Sequence, residues 1–466
     1  MGIGRTVISG CALATVDPAG TEHASGYLAF EDGRITAIGG GIPPAAVTDG
    51  AARVIDGAGL LATPGLVNGH HHLYQWATRG FVADGTLFQW LTGLYPVWAQ
   101  LDADITHHAA KAGLAQLALS GCSLSTDHHY VYPGGGNELL EATITAADQI
   151  GLRFHPCRGS MNLGASRGGL PPDAVVEDAD EILIASAEAI ERWHDPSPDS
   201  ALQIALAPCS PFSVTRELMV DSAALARATG VRLHTHLCET VDEEHFCLER
   251  FGARPVDYLE AMGWMGDDVW FAHCVHLSDG EVARFGEHGV GVAHCPTSNA
   301  RLGAGIAPVR KLRGAGVAVG LGVDGAASNE AGTLQLEVHA ALMAARFAEG
   351  PEAMTVREAL AHGTIHGARC LGREADLGSL EVGKLADIAL WRVDDLGAAG
   401  IADPVAALVL GPPRGVEHLV VGGRFVVQGG ELRTADQPTV VRELVRVSAR
   451  QLAAHSRVHA GVGGGR

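Results

Sequence analysis

The chain has 466 residues, enough for a barrel of about 250 residues and one further domain. Acidic residues outnumber basic ones by 53 to 33, which gives a formal net charge of −20. A surface of that sign repels phosphate backbones and anionic lipid headgroups, so we expect neither a nucleic acid nor a membrane as a partner. No apolar stretch approaches the roughly 20 residues of a membrane span. Nine scattered cysteines without a Cys-x-x-Cys pair favour reduced thiols and a cytoplasmic location over a disulfide framework or a zinc ribbon.

Both ends of the chain have the pattern of short β-strands. Near the start, an alternating run at residues 26–30 is followed by an Asp-Gly turn, which is typical of a β-hairpin. Near the end, the same pattern returns at residues 418–421, followed by a Gly-Gly turn. We therefore predict that residues 1–61 and 374–466 form one small discontinuous β-sandwich domain around a middle segment, residues 62–373.

The middle segment alternates strand-like runs with Ala- and Leu-rich helical stretches, the pattern of repeated βα units. Eight candidate strands are present, the number that a closed barrel requires. They are marked by polar residues: His70 and His72, Asp127 to His129, His155, Cys209 and Ser210, His236, His273, His294, and Asp324. We predict an α/β fold with a (β/α)8 TIM-type barrel, whose active site lies at the C-terminal ends of these strands.

The first of these strands carries the strongest chemical signal. Alternate side chains of a strand share a face, so His70 and His72 converge on one point. Two imidazoles at that spacing supply half of a zinc tetrahedron. Taken singly, His236 or His273 fits a hydrogen-bonded core histidine better than a ligand. Their shared position at strand ends, together with Asp324, favours a hydrolytic metal site.

Several other classes of hydrolytic and nucleotide site are excluded. A cytidine-type zinc deaminase needs Pro-Cys-x-x-Cys, and the nearest fragment, residues 156–159, lacks the second cysteine. The chain contains neither His-Glu-x-x-His, the signature of a zinc peptidase, nor the Gly-x-x-x-x-Gly-Lys-Ser/Thr loop that binds nucleotide phosphates.

Five segments around the polar strand ends form a specific set: residues 64–72, 79–80, 234–239, 272–273 and 323–325. In composition and order they resemble the motifs of the amidohydrolase superfamily, in its branch of cytosine and guanine deaminases and triazine hydrolases. The resemblance spans almost the whole chain, including both β-rich ends.

The resemblance implies a role for each matching residue. The metal ligands would be His70, His72, His236 and Asp324. Glu239 matches the acid/base glutamate of the branch and His273 matches its sixth-strand histidine. The catalytic residues would therefore be Glu239, His273 and Asp324. His234 has no ligand counterpart, and we expect it to be structural or to line the pocket.

The same resemblance bears on the number of metal ions. Binuclear members of the superfamily bridge their two ions with a carboxylated lysine, usually from the fourth strand. No lysine occurs between Lys111 and Lys311. We therefore expect one ion per chain, with zinc favoured for three imidazoles and one carboxylate, although iron also accepts such ligands.

Four further segments look most like those of deaminases that act on 8-oxoguanine: residues 158–164, 168–173, 206–213 and 322–329. The resemblance implies an aminohydrolase that converts 8-oxoguanine, an oxidised purine, to urate and ammonia by attack of a metal-activated hydroxide. The alternative is a hydrolase of an s-triazine, guanine or pterin ring that acts by deamination or dechlorination. The presence of both Glu239 and Asp324 favours an amine leaving group. The complete set of metal ligands together with Glu239 also argues against a third hypothesis, that the chain is a non-catalytic scaffold.

Four polar or aromatic side chains near predicted strand ends could bind the edge of a flat heterocycle: Gln75, Arg79, His128 and Tyr130. We expect them to contact the substrate, although each also fits a packing role in a loop. The expected partner is a small heterocyclic molecule, and we expect the chain to form a homo-oligomer.

Overall fold

The computed structural model describes residues 4–462, with side chains described up to residue 458. Nineteen strands occur in this part of the chain: β1 Thr6–Ala14, β2 Glu22–Glu31, β3 Arg34–Gly40, β4 Arg53–Asp56, β5 Leu60–Pro64, β6 Leu66–Asn68, β7 His71–His72, β8 Cys122–His129, β9 Arg153–Ser160, β10 Ala205–Pro208, β11 Arg232–Leu237, β12 Val269–His273, β13 Gly291–His294, β14 Ala318–Leu321, β15 Asp324–Gly325, β16 Ile388–Arg392, β17 His418–Val421, β18 Arg424–Gln428 and β19 Glu431–Leu432.

Sixteen α-helices lie between and after these strands: α1 Ala45–Thr48, α2 Leu87–Trp98, α3 Ala103–Leu119, α4 Glu138–Ile150, α5 Ala179–Trp193, α6 Arg216–Thr229, α7 Val241–Phe251, α8 Pro255–Glu260, α9 Asp279–His288, α10 Pro296–Arg301, α11 Val309–Gly314, α12 Leu334–Glu349, α13 Val356–His362, α14 Ile365–Cys370, α15 Pro404–Leu410 and α16 Gln437–Val462. Short 3-10 turns occupy Leu73–Thr78, Ala165–Arg167 and Asp173–Val175. None of the helices in the described residues is long and apolar enough to cross a membrane.

Eight parallel strands close into a barrel in the order β6, β8, β9, β10, β11, β12, β13 and β14, and β14 pairs with β6 to complete the ring. Nearly all of their residues are buried, because helices cover the outer face and side chains fill the interior. The predicted (β/α)8 barrel is confirmed. One detail differs, since His155 lies near the start of β9 and not at its end. That strand continues to Ser160 because its last residues stay paired with β10.

The two ends of the chain form one nine-stranded sheet in the order β19, β18, β17, β16, β5, β1, β2, β3, with β4 beside β1. The ends meet where β16 runs antiparallel to β5. Apolar side chains from both ends, among them Ile8 and Ile388, share a core of their own. The prediction of an additional β-rich domain built from both ends is confirmed, but hydrogen bonds join its strands into one continuous sheet where two packed sheets of a β-sandwich were expected. Its boundaries, between residues 61 and 62 and between 373 and 374, stay a prediction, and residues 1–3 and 463–466 lie outside the described range.

The described chain ends in the 26-residue helix α16, which the sequence pattern did not predict. It packs on α2 and α3, and Arg446 and Arg450 form ion pairs with Asp104 in the first turn of α3. The last helix therefore lies against the helices of the barrel.

A buried ion pair joins the barrel to the sheet. Arg153, the first residue of β9, donates from Nε to Asp387 Oδ2 at 2.9 Å and from Nη2 to Oδ1 at 3.3 Å. Asp387, just before β16, also accepts the backbone N–H of Gly422 at 2.8 Å. Both side chains are almost fully buried. A bidentate pair of this kind fixes the orientation of the two partners as well as their distance.

Arg153→Met should lower the free energy of unfolding by about 3 to 5 kcal/mol, because the buried carboxylate of Asp387 then lacks its cation. Urea unfolding at neutral pH measures the loss. The matched control is Arg192→Met, which removes an exposed pair with Glu141 and should cost about 1 kcal/mol or less. Equal losses in the two variants would contradict a structural role for the buried pair.

Candidate active site

Four electron-pair donors meet at the C-terminal mouth of the barrel. His70 and His72 follow β6, His236 lies near the end of β11, and Asp324 opens β15. The donor atoms of these four residues lie within 4.8 Å of one another. Asp324 Oδ1 is 3.3 Å from Nε2 of both His70 and His72, and Nε2 of His72 and His236 are 3.1 Å apart. The structure thus brings together all four residues that were predicted as metal ligands.

Hydrogen bonds behind the rings determine which nitrogen faces the centre. Nδ1 of His72 lies 2.7 Å from the carbonyl oxygen of His128, and Nδ1 of His236 lies 2.7 Å from that of Cys209. A carbonyl only accepts, so each Nδ1 carries the proton and each Nε2 presents a lone pair. Burial, with the nearby imidazole of His72, lowers the pKa of His236 well below its usual range. Two lone pairs 3.1 Å apart repel each other, and a cation bound between them would remove this repulsion.

The spacing of the donors tests whether a metal ion fits. A tetrahedral ion with bonds of 2.0 to 2.1 Å separates its ligand atoms by about 3.3 to 3.4 Å. The observed separations of 3.1 and 3.3 Å are close to that value. Nε2 of His70 is buried and has no hydrogen-bond partner among the described residues. Three imidazoles and one carboxylate are ligands that zinc and iron accept, so these residues fit a divalent transition-metal ion.

Two carboxyl groups beside the donors have opposite electrostatic surroundings. Burial alone would raise the pKa of Asp324, but the imidazoles of His70, His72 and His273 hold it well below its usual range. Burial, reinforced by the charge of Asp324, raises the pKa of Glu239 well above its usual range. The surroundings therefore lower the pKa of one carboxyl and raise the pKa of the other, the division found in acid/base pairs.

His273 stands between these carboxyl groups. Its Nε2 lies 3.7 Å from Glu239 Oε2 and 3.9 Å from Asp324 Oδ2. Its Nδ1 lies 2.9 Å from Oδ1 of Asn299, which orients the ring. The hydroxyl of Ser298 donates to Asp324 Oδ2 at 2.5 Å. The structure therefore also brings together the three predicted catalytic residues. Asn299 and Ser298 were not identified from the sequence, because they follow β13 on α10 and carry no metal-ligand or acid/base pattern.

The position of Glu239 depends on a strained turn after β11. Cys238 has a φ of 52°, which a residue with a side chain rarely adopts. The buried carboxylate of Glu243, in the first turn of α7, holds this turn. It accepts the backbone N–H of Cys238 at 2.9 Å and that of Glu239 at 2.8 Å. Sequence reasoning missed Glu243, although its place four residues after Glu239 in an acidic helix start is a usable signal.

A cavity opens beside the donors and holds, with its mouth, about 360 Å³ of space free of protein atoms. The polar residues of its floor are His72, His236, Glu239, His273 and Asp324, and Cys209 lies beside them. Its walls are aromatic and aliphatic: Leu87, Trp90, Leu91 and Tyr95 from α2, together with Tyr130, Phe212 and Leu302. No arginine or lysine is among the described residues that line it. The hydroxyl of Tyr95 is buried and has no partner among the described residues. Such a cavity suits a flat, uncharged ring.

Of the four predicted substrate contacts, only Tyr130 lines this cavity. The amide of Gln75 packs against Gly325, and Nε2 of His128 bonds to the carbonyl of Ala207. The guanidinium of Arg79 lies 4.5 Å from the ring centre of Trp76. Proximity to a strand end did not determine these orientations, because the turn after β7 directs Gln75 and Arg79 into the protein or across its surface, and His128 on β8 turns toward β10.

Comparisons with known proteins agree with this geometry. The model of the amidohydrolase family matches residues 61–426. The chain is 45% identical over 441 residues to an 8-oxoguanine deaminase of Pseudomonas aeruginosa, covering 94% of this chain and 96% of that protein. It is 36% identical to an isoxanthopterin deaminase of an unknown prokaryote, covering 84% and 87% of the two chains. The crystal structure of an atrazine chlorohydrolase from Arthrobacter aurescens complexed with zinc superposes with a TM-score of 0.90 at 34% identity, covering 95% and 100%.

Glu243→Gln should lower the free energy of unfolding by about 1 to 3 kcal/mol, since the amide NH2 faces a backbone N–H that then has no acceptor. Chemical unfolding of the metal-free chain measures this. The control is Glu244→Gln, which weakens a partly exposed ion pair with Arg254 and should cost about 1 kcal/mol or less. If Glu243→Gln were as stable as the parent chain, the two backbone hydrogen bonds would not be what holds the turn.

Proposed function

The chain belongs to the amidohydrolase family, and we propose that it is a zinc-dependent aminohydrolase that converts 8-oxoguanine to urate and ammonia. The observation that carries this proposal is the convergence of His72, His236, Asp324 and Glu239 on one cavity whose described lining contains no arginine or lysine. The 45% identity to an 8-oxoguanine deaminase supports the choice of substrate. The cytoplasmic location and the homo-oligomer stay predictions.

We propose that His70, His72, His236 and Asp324 hold one metal ion. When bound, a divalent ion lowers the pKa of a coordinated water from about 15.7 to about 7 and so supplies hydroxide near neutral pH. The fourth barrel strand, β10, contains no lysine that could bridge a second ion. Zinc is the preferred metal for this donor set and iron is the alternative.

The residues around the centre divide the proton transfers. Asp324, whose pKa is lowered, accepts the proton that the attacking water loses. Glu239, whose pKa is raised, donates a proton to a ring nitrogen next to the carbon that is attacked. Glu239 then takes the proton of the hydroxyl that is now on that carbon and delivers it to the departing amine, so that a carbonyl forms and ammonia leaves. The proton held by Asp324 afterwards restores Glu239, so one carboxyl acts twice. His273, held by Asn299, orients the group at the attacked carbon.

The walls of the cavity restrict the substrate. Because the described residues of the wall include no arginine or lysine, the wall itself offers no counter-charge to a phosphate or carboxylate on the substrate, which favours a neutral base. Trp90, Tyr130 and Phe212 offer apolar ring surfaces to a planar molecule. We propose that the unpartnered hydroxyl of Tyr95 bonds to the oxygen on carbon 8 of 8-oxoguanine, the group that guanine lacks. The same walls also fit a guanine, pterin or triazine ring, which is the alternative substrate class.

One divalent ion should bind tightly to each chain. It should be lost from His72→Ala and His236→Ala but retained in His362→Ala, because His362 is buried on α13 and bonds only to the carbonyl of Val319. Elemental analysis of dialysed protein measures the stoichiometry. Finding two ions per active chain would contradict the single-ion proposal.

Glu239→Gln should bind the metal normally yet lower kcat by at least about 100-fold, because the amide cannot donate and regain a proton. Steady-state kinetics at matched metal content measures this. Turnover close to that of the parent chain would exclude Glu239 from the proton transfers.

The substrate is tested by comparing release of ammonia from 8-oxoguanine and guanine. We expect kcat/KM to be at least about tenfold higher for 8-oxoguanine, since a buried polar group that loses its partner costs about 1 to 3 kcal/mol. Tyr95→Phe should reduce this ratio, whereas Tyr132→Phe should not, because Tyr132 is buried away from the cavity lining.

Equal rates on the two purines would overturn the substrate assignment. So would faster turnover of isoxanthopterin or of an aminotriazine, which belong in the same assay. Either result leaves the hydrolase assignment intact, because the metal and Glu239 measurements do not depend on which ring is bound.

A further inference from the structure

His234 lies two residues before His236 on β11 and is fully buried. Its Nδ1 is 2.8 Å from the carbonyl oxygen of Trp270 on β12. Its Nε2 is 2.8 Å from Nδ1 of His70. Its ring stacks on the indole of Trp270, with ring centres 4.4 Å apart and planes inclined by 15°. His234 therefore touches a predicted metal ligand without facing the metal centre itself.

The direction of the two hydrogen bonds follows from the acceptor at one end. The carbonyl of Trp270 can only accept, so Nδ1 of His234 carries the proton and its Nε2 is the acceptor. Nδ1 of His70 must then donate to it, which leaves Nε2 of His70 as a lone pair directed at the centre. The two hydrogen bonds that link Trp270, His234 and His70 thus select the tautomer of His70 that can bind a metal.

The distance distinguishes this arrangement from a second metal site. Donor atoms of His70, His128 and His234 also lie within 4.8 Å of one another. However, nitrogens that share a tetrahedral ion are separated by about 3.3 to 3.4 Å. The 2.8 Å between His70 and His234 is instead a normal hydrogen-bond length.

The partner of His70 differs in kind from those of the other two imidazoles. His72 and His236 bond to backbone carbonyls, which no substitution removes. His70 bonds to a side chain, which is in turn anchored to the backbone of β12. The indole N–H of Trp270 also donates to the carbonyl of Gly69 at 3.0 Å, so the residue before His70 is held from the same strand.

We propose that His234 is a positioning residue that fixes the tautomer and ring orientation of His70 for metal binding. This inference rests on the proposed role of His70 as a ligand. Groups that orient a ligand from behind typically change metal affinity by 10- to 100-fold when they are replaced.

Three variants separate the two hydrogen bonds. His234→Gln places a side-chain oxygen near the position of Nε2 and keeps the acceptor for His70. His234→Asn reaches only as far as Nδ1 and keeps the bond to Trp270. His234→Phe keeps the ring but loses both bonds. In a Zn²⁺ competition assay with a chromogenic chelator, we expect the affinities of His234→Asn and His234→Phe to fall by about 10- to 100-fold. His234→Gln should stay within about threefold of the parent chain.

Thermal unfolding of the metal-free proteins separates positioning from general stability. His362→Phe is the matched control, since it also replaces a buried histidine that bonds to a carbonyl, but one remote from the donors. It should lower stability without changing Zn²⁺ affinity. The proposal is overturned if folded His234→Phe binds Zn²⁺ as tightly as the parent chain, or if His234→Gln loses as much affinity as His234→Phe. His70→Ala tests the underlying ligand assignment independently, because unchanged Zn²⁺ affinity there would refute the site and not only the role of His234.

Discussion

Three imidazole lone pairs and one carboxylate point at a single buried position, and much of the surrounding structure follows from that constraint. Groups of this kind lose their hydration on folding and repel one another unless a cation neutralises them. The carbonyls of His128 and Cys209 fix the tautomers of two rings, and the short pairing of β7 with β15 sets the register between the histidines and Asp324. The mouth of the barrel therefore keeps the four donors oriented before a metal ion or a substrate binds.

That orientation is maintained against local backbone strain. His273 and Asp324 have φ angles of 70° and 60°, in the left-handed region that residues with side chains avoid. Each such residue costs on the order of 1 to 3 kcal/mol and persists only where its surroundings determine it. For Asp324 the determinants are its own N–H bond to the carbonyl of His70 and the preceding bond from Val323 N–H to Asn68. This backbone conformation directs the side chains of His273 and Asp324 into the centre, whereas a regular strand would turn them away from it.

The sequence alone predicts those parts of the site in which the candidate ligands recur with the period of a β-strand. His70, His72 and His236 recur at strand ends with a spacing of two or at equivalent positions, so the barrel and the convergence of donors could be predicted. The roles that depend on tertiary packing could not. His234 shares a face with His236, but only the structure shows that its Nδ1–H donates to the carbonyl of Trp270 and that its Nε2 accepts from Nδ1 of His70. Likewise, α2 carries no catalytic motif, and its position over the cavity depends on contacts such as that of Trp90 with the carbonyl of Ala327.

The groups proposed to take part in the reaction lie at the strand ends, whereas α2 contributes much of the cavity wall that would select the substrate. The donors and acid/base groups sit on or directly after barrel strands, whose hydrogen-bonded neighbours restrict their movement. Most of the wall instead comes from one helix inserted between β7 and α3 and from residues that follow β8 and β10. Substitutions at Leu87, Leu91 or Tyr95 can reshape the wall without disturbing the carbonyls and strands that orient the metal ligands. This separation gives a physical reason why proteins named for 8-oxoguanine, isoxanthopterin and atrazine can be 45%, 36% and 34% identical to this chain over most of its length.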